Sequence, residues 1–150
     1  MRAVIQRVDH AAVHIDGECY NKIGKGLMIL LGIEESDTEE DIDWLCKKII
    51  NLRIFDDADG VMNLSVQDID GEIMVISQFT LFASTKKGNR PSYIRAAKSD
   101  ISKPIYDKFL NKLELYFGKF IKRGKFGADM NIELLNNGPV TIIIDTSAKE

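Results

Sequence analysis

Apolar and polar positions alternate along the first stretch of the chain. Val4, Gln6 and Val8 fall on one side and Ile5, Arg7 and Asp9 on the other, with Ala11, Val13 and Ile15 continuing the period of two. This predicts a long strand from Arg2 to Ile15. Asp16-Gly17 is a hairpin signal, and Glu18 to Ile23 is a short second strand. Gly24-Lys25-Gly26 reads as a further turn before Leu27 to Ile33, a run apolar on both faces and hence a central strand covered on both sides. The short connections predict three successive antiparallel strands.

The period then changes. Ile42, Leu45, Cys46, Ile49 and Leu52 recur at helical spacing, behind overlapping capping boxes of Ser36 with Glu39 and Asp37 with Glu40. Asp56-Asp57-Ala58-Asp59-Gly60 resembles part of a calcium loop, but Ser65 stands where the terminal Glu should be, so a polar turn between strands is expected. Glu72 to Phe82 alternates as one strand, with Ile73, Val75 and Ser77 opposite Met74, Ile76 and Gln78. Ala83 to Ala97 is a polar, basic loop. A second helix is expected behind Ser102 as cap, with Pro104 in its first turn, inward-facing Ile105, Phe109, Leu113 and Tyr116 or Phe117, and a stop at Gly118. Asn131 to Leu135 and Val140 to Thr146 read as two strands separated by Asn136-Asn137-Gly138-Pro139. The expected class is α+β: a mostly antiparallel, β-barrel-like sheet with two main helices packed against it.

Composition narrows the function more than the fold. The 150 residues are the size of one domain, 45% apolar and 29% charged. Polar residues interrupt the apolar start, and no apolar run approaches the roughly 20 residues of a membrane span. The expectation is a protein without membrane association in a reducing cytoplasm. Cys19 and Cys46 offer no metal or disulfide framework, and Cys46 reads as a small core residue. His10 and His14 lie four apart in a strand, which separates them by roughly 13 Å and disfavours a shared metal. The net charge of −3 disfavours broad nucleic-acid binding, yet Lys86, Lys87, Arg90, Arg95 and Lys98 fall in a stretch without acids, and Lys119, Lys122, Arg123 and Lys125 form another basic run.

Two segments stand out for chemistry. Ser77-Gln78-Phe79-Thr80-Leu81-Phe82 and Asn136-Asn137-Gly138-Pro139-Val140-Thr141 each join small polar residues to an apolar strand. Neither carries a His, Asp, Glu or Cys. A site built from them would work through backbone groups, hydroxyls and the substrate itself. The plainer readings are hydroxyls that satisfy strand-end backbone and a Gly-Pro loop of the ordinary kind.

Together the two segments resemble the D-aminoacyl-tRNA deacylase family, which carries an S-Q-F-T-L and an N-x-G-P-V-T segment at about this separation. Met1-Arg2-Ala3-Val4-Ile5-Gln6-Arg7-Val8 looks like that family's first strand, and Gly88-Asn89-Arg90-Pro91-Ser92-Tyr93 like its basic loop. The resemblance spans residues 1–150 as a single domain. It implies a homodimer with the active site at the subunit interface. It implies a cis Gly138-Pro139 bond that reaches into the partner's pocket and confronts Ser77, Gln78, Phe79 and Thr80. Main chain at that bond would reject L-aminoacyl groups whatever their side chain. The substrate would be aminoacyl-tRNA, with no cofactor or metal, and the role chiral proofreading. Arg7 and Asn137 would support the Gly-Pro turn, although Arg7 also fits a plain strand-surface arginine. Lys86, Lys87 and Arg90 would touch tRNA. Two other readings stay open: a nucleic-acid-binding module without turnover, and a peptidase or esterase that uses Ser77 or Thr80 as nucleophile.

Overall fold

The computed structural model describes residues 1–150. Its spine is β1 (Arg2–Ile15), as the alternation predicts. Asp16 and Gly17, with φ of 52° and 79°, turn the chain into β2 (Glu18–Ile23). The next expectation is corrected. Gly24-Lys25 does not reverse the chain; β2 and β3 (Gly26–Gly32) run in the same direction. Both pair antiparallel with β1, and the register that joins Ala11 to Ile23 resumes unbroken where Val8 meets Gly26. They are one kinked strand, because a strand of 14 residues has backbone groups to satisfy along its whole length.

The helix α1 (Glu39–Asn51) is capped by Thr38, not by Ser36 or Asp37. Thr38 Oγ1 accepts from the Asp41 amide and the Asp41 carboxylate accepts from the Thr38 amide. Ile42, Leu45, Cys46, Ile49 and Ile50 are its buried face. Burial pushes the Cys46 thiol up to about 12, the behaviour of a core residue. The acidic run 56–60 is a polar turn between β4 (Phe55–Asp56) and β5 (Met62–Leu64).

The chain returns through β6 (Glu72–Ser77), which pairs with β3 in parallel, so the sheet is mixed. The strand expected to reach Phe82 stops at Ser77, and Phe79–Phe82 forms a 3₁₀ turn. The second helix, α2 (Ser99–Phe117), begins three residues before the expected cap, with Lys98 as N-cap and Pro104 inside it. It stops at Gly118, and the Tyr106 hydroxyl donates to the Val75 carbonyl at 3.0 Å, tying α2 to β6. β7 (Lys122–Arg123) pairs with β6, and Asn21 donates to the Arg123 carbonyl at 2.8 Å, so the far side of the sheet bends back towards β2.

The last strand, β8 (Asn131–Asp145), is one element rather than two. It follows β1 from the pair Arg2 and Asp145 to the pair His14 and Asn131. Between Gln6, opposite Thr141, and Val8, opposite Asn136, the four residues Asn137 to Val140 face Arg7 alone. This is a large bulge within a continuous strand.

Two apolar clusters result. Ala3, Ile5, Leu27, Ile29, Ile73 and Val75 face the helices. Val8, Ala11, Val13, Ile23, Met28, Met74 and Ile76 line the inside of the nearly closed, barrel-like sheet. The two-faced run 27–31 serves both, as its composition requires.

Candidate active site

Ser77 ends β6 opposite Leu31. The Gln78 amide still donates to the Leu31 carbonyl at 2.8 Å, and the chain then tightens into the 3₁₀ turn. The first amide to bond within the turn is that of Leu81, to the Gln78 carbonyl at 3.3 Å. The amides of Phe79 and Thr80 precede it and have no acceptor within the turn.

The turn is held from below and from the side. A Cβ at Gly32 would meet the Phe82 ring at 3.0 Å and the Gln78 carbonyl at 3.1 Å, so the strand backbone lies directly under it. The buried Phe82 ring has the guanidinium of Arg2 at 4.8 Å from its centroid and that of Arg95 at 5.5 Å. Arg2 also donates to the Leu81 carbonyl at 2.7 Å and to Asp145 at 2.8 and 3.0 Å. Burial pushes the Asp145 carboxyl up, but hydrogen bonds from Ser147 and Arg2 outweigh it and hold it down at about 2.

A cleft of about 600 Å³ opens beside the turn. Ser77, Gln78 and Phe79 form one end, Tyr93 and Ala96 to Ser99 one wall, and Phe126 to Met130 the facing wall. Phe79, 55% exposed, and Tyr93 meet edge to face with centroids 5.1 Å apart. Thr80 does not line the cleft. Its Oγ1 accepts a short hydrogen bond from the Gln78 side-chain amide, and no base touches it.

The second segment lies elsewhere in the chain. Ser77 shares a row with Leu31, Ala3 and Ile144, whereas Gly138 and Pro139 stand opposite Arg7. That is three strand spacings across (~14 Å) and four residues along (~13 Å). The Gly138-Pro139 bond is cis, and Gly138 has φ of 124°. Both residues are exposed.

Arg7 is buried beneath this bulge. Its Nε donates to the Asn137 carbonyl at 3.0 Å and its NH2 to Asn137 Oδ1 at 3.1 Å, while NH1 donates to the Ile54 carbonyl at 2.8 Å. Asn137 in turn donates to Asp9 at 2.7 Å. The plain surface-arginine reading is thereby excluded. The supported carbonyl is that of Asn137, immediately before Gly138.

The other candidates divide. Lys86, Lys87 and Arg90 are exposed, form no ion pair, and do not line the cleft. Paired amides and carbonyls of Ser84 and Ser92 at 2.8 and 2.9 Å pinch their loop into a projecting tip. His10 and His14 both reach the Glu133 carboxylate, at 3.8 and 3.6 Å. No three His, Cys, Asp or Glu side chains assemble in a group able to hold a metal ion. Sequence reasoning missed Arg2 and the wall 126–130; in the latter, the only hint was an aromatic beside Gly127 in a polar stretch.

A family model described as D-Tyr-tRNA(Tyr) deacylase matches residues 4–145. The chain belongs to this family. A relative named D-aminoacyl-tRNA deacylase from Bacteroides fragilis is 67% identical over the whole of both chains, and one of the same name from Flavobacterium johnsoniae is 59% identical, again over both in full. Among solved structures, the "c-Myc DNA Unwinding Element Binding Protein" superposes with a TM-score of 0.92 at 41% identity, covering 97% of this chain and 98% of the other. A probable eukaryotic D-amino acid tRNA deacylase superposes with a TM-score of 0.82 at 16% identity over 95% and 97% of the two chains, a likeness of fold alone. The Ser77 to Phe79 end of the cleft carries no His, Asp, Glu or Cys.

Proposed function

We propose that this chain hydrolyses the ester between a D-amino acid, or glycine, and the terminal ribose of tRNA, and rejects L-aminoacyl esters. The role is chiral proofreading in translation, in the cytoplasm. The observation that carries the reading is the pairing of an open cleft, ended by Ser77-Gln78-Phe79, with a rigid Gly138-Pro139 bulge too distant to serve that cleft in the same chain. The active unit is therefore a homodimer in which each bulge completes the partner's cleft. The outer edge of β8 supports this: β8 pairs only with β1, and Leu135 and Ile143 are 50% and 68% exposed. A bare edge of 15 residues is a surface that folded proteins normally cover.

An aminoacyl ester is already activated, so positioning and oxyanion stabilisation carry the chemistry. Water attacks the ester carbonyl, the amides of Phe79 and Thr80 receive the developing negative charge, and the neighbouring ribose hydroxyl helps to activate the water. The bulge faces the Cα of the aminoacyl group and leaves no room for an L side chain. D-tyrosyl-tRNA is expected to be hydrolysed at least about a hundredfold faster than L-tyrosyl-tRNA, a difference of ~2.7 kcal/mol in barrier. Activity should survive EDTA. Equal rates for the two isomers would refute the proposal.

The hydroxyl of Thr80 lacks a base, which weighs against the covalent alternative. Thr80→Ala keeps the backbone amide and is expected to retain activity within about tenfold in single-turnover kinetics. A loss of ~10⁴-fold in a folded variant would restore Thr80 as nucleophile.

The projecting tip at Lys86, Lys87 and Arg90 adds affinity for tRNA. Replacing all three with glutamine is expected to raise KM several-fold and flatten its salt dependence while leaving kcat within about twofold. Unchanged KM at low and high salt would remove the tip from the tRNA footprint. The same free cations, together with the likeness to a protein named for binding DNA, support a second reading as a binding module without turnover. Tight binding of uncharged nucleic acid with no hydrolysis of any aminoacyl-tRNA would favour it.

A further inference from the structure

Arg7 holds two segments rather than one. Besides its bonds to Asn137 at the root of the bulge, its NH1 donates to the Ile54 carbonyl at 2.8 Å and lies 3.4 Å from the Asp56 carboxylate. Ile54 and Asp56 are the foot of the β4–β5 hairpin. Within that hairpin Asp56 stands opposite Met62. Residues opposite one another in an antiparallel pair share a face, so Met62 looks the same way as the carboxylate that reaches Arg7. One buried guanidinium therefore carries the Gly138-Pro139 bulge and the hairpin tip side by side.

The tip is ordered, yet it shows apolar side chains to solvent. The Asp57 carboxylate accepts from the amides of Asp59 and Val61 at 2.9 and 3.1 Å and from the Asn63 side chain at 3.2 Å, and Gly60 takes the φ of 75° that closes the turn. These bonds satisfy the turn and leave Val61 and Met62 outside it, 57% and 53% exposed. Adjacent large apolar side chains on an ordered turn mark a contact surface. Asp56, Asp57 and Asp59 surround them with negative charge. The mouth of the cleft has the matching character. Phe79 and Tyr93 are exposed there, Ile94 beside them is 93% exposed, and the loop that carries Tyr93 and Ile94 holds Lys86, Lys87 and Arg90 and no acid. Neither Val61 nor Met62 lines the cleft of its own chain.

We propose that this tip, with Met62 foremost, packs against the mouth of the cleft on a second copy of this chain, where Met62 meets the Phe79–Tyr93 ring pair and Ile94. The contact rests on the shared-site deacylase reading: where one bulge completes the partner's cleft, the tip carried on the same arginine arrives at the rim of that cleft. A thioether against aromatic rings is a favourable contact. The aspartates around the tip meet a basic loop, which orients the approach. Under a two-fold axis the contact occurs twice in each dimer. The hairpin therefore belongs to the interface, although nothing in its own chain requires an apolar tip.

The test uses the full chain in a Cys19→Ser background, because Cys19 is an exposed thiol whereas Cys46 is buried. Met62→Cys and Ile94→Cys are prepared separately, mixed under subunit exchange and treated with a short bismaleimide. A covalent dimer with one chain of each variant, identified by mass, is expected. In parallel, dimer dissociation is followed by sedimentation. Met62→Lys, which loses the apolar contact and repels the basic loop, should weaken the dimer at least about tenfold, whereas Met62→Leu should stay within about twofold of wild type. Hydrolysis of D-tyrosyl-tRNA by Met62→Lys should fall in dilute enzyme and recover as the enzyme concentration is raised, a recovery that local misfolding would not give. Dimers that exchange subunits without forming the mixed cross-link, or a Met62→Lys dimer as tight as wild type, overturn the tip contact and leave the shared-site reading standing. A chain that hydrolyses D-tyrosyl-tRNA as a monomer refutes both. The mixed cross-link in a dimer without D-selective hydrolysis retains the contact and refutes the deacylase reading.

Discussion

Gly138→Ala is expected to lower D-aminoacyl-tRNA hydrolysis by at least about a hundredfold, a loss of ~2.7 kcal/mol of transition-state stabilisation. Gly138 sits at φ of 124°, where an L side chain is strained. The new Cβ would lie 2.8 Å from the NH2 of Arg7 and 2.9 Å from Cγ2 of Val140. Neither neighbour can yield freely, because Arg7 is buried and bonded on three sides and Val140 begins the return of β8. The bulge must shift. The decisive experiment mixes this variant under subunit exchange with Phe79→Pro, which removes the backbone amide assigned to the developing negative charge. In a mixed dimer, one site carries both lesions and the other carries neither. Activity should reappear on mixing two inactive preparations. If mixing restores nothing, the bulge does not act across subunits.

Arg7→Ala should have the second-largest effect, and on stability as well as rate. It strips donors from the Asn137 and Ile54 carbonyls and from Asn137 Oδ1. Buried acceptors left without a charged donor cost about 2–4 kcal/mol in total. For a chain of this size that lowers Tm by roughly 5–15 °C. The freed bulge should also depress kcat. Arg7→Lys should rescue little, because one ammonium cannot span acceptors on both the bulge and the 52–54 segment as the planar guanidinium does. A Tm within about 2 °C of wild type together with full activity would show that the bulge holds itself.

Much of this arrangement was legible in the sequence for local reasons. The limits of β1 and β2, the Asp16-Gly17 turn, the two-faced run at 27–31 and the stop at Gly118 each follow from side chains a few positions apart. What failed was decided by distant partners. Gly24-Lys25 has the composition of a reversal, but the length of β1 demands a continued partner, so the chain kinks instead. Asn136 to Pro139 reads as a loop between strands; pairing with β1 on both sides makes it a bulge within one. The motif of Phe79, Leu81 and Phe82 alternates like a strand, yet Gly32 and Phe82 pack it as a tight turn. Ser36-Asp37-Thr38 offers three caps in a row, but the Asp37 carboxylate is taken by the Met1 ammonium group and the Glu34 amide, and Thr38 caps the helix. Of the candidate site, Ser77 to Phe79 stood out in the sequence and lie at one end of the cleft, whereas Arg7, singled out only through the family resemblance, lies beneath the bulge and bonds Asn137. The wall at 126–130 and the hold of Arg2 on Leu81 were not, since each depends on a fold that brings together residues far apart.

The kinked strand has a consequence for how the molecule comes apart. β1 contributes Ala3 and Ile5 to the cluster under the helices, and Val8, Ala11 and Val13 to the cluster inside the sheet. Its partner edge, β2 and β3, crosses the same boundary without losing register. Neither cluster can therefore dissolve without dragging the shared pair of strands out of the other. The molecule lacks a seam along which a partly unfolded half could persist, and its denaturation should be a single cooperative event. The amides of β1 would exchange with solvent only through that global event, and so would be among the slowest in the chain.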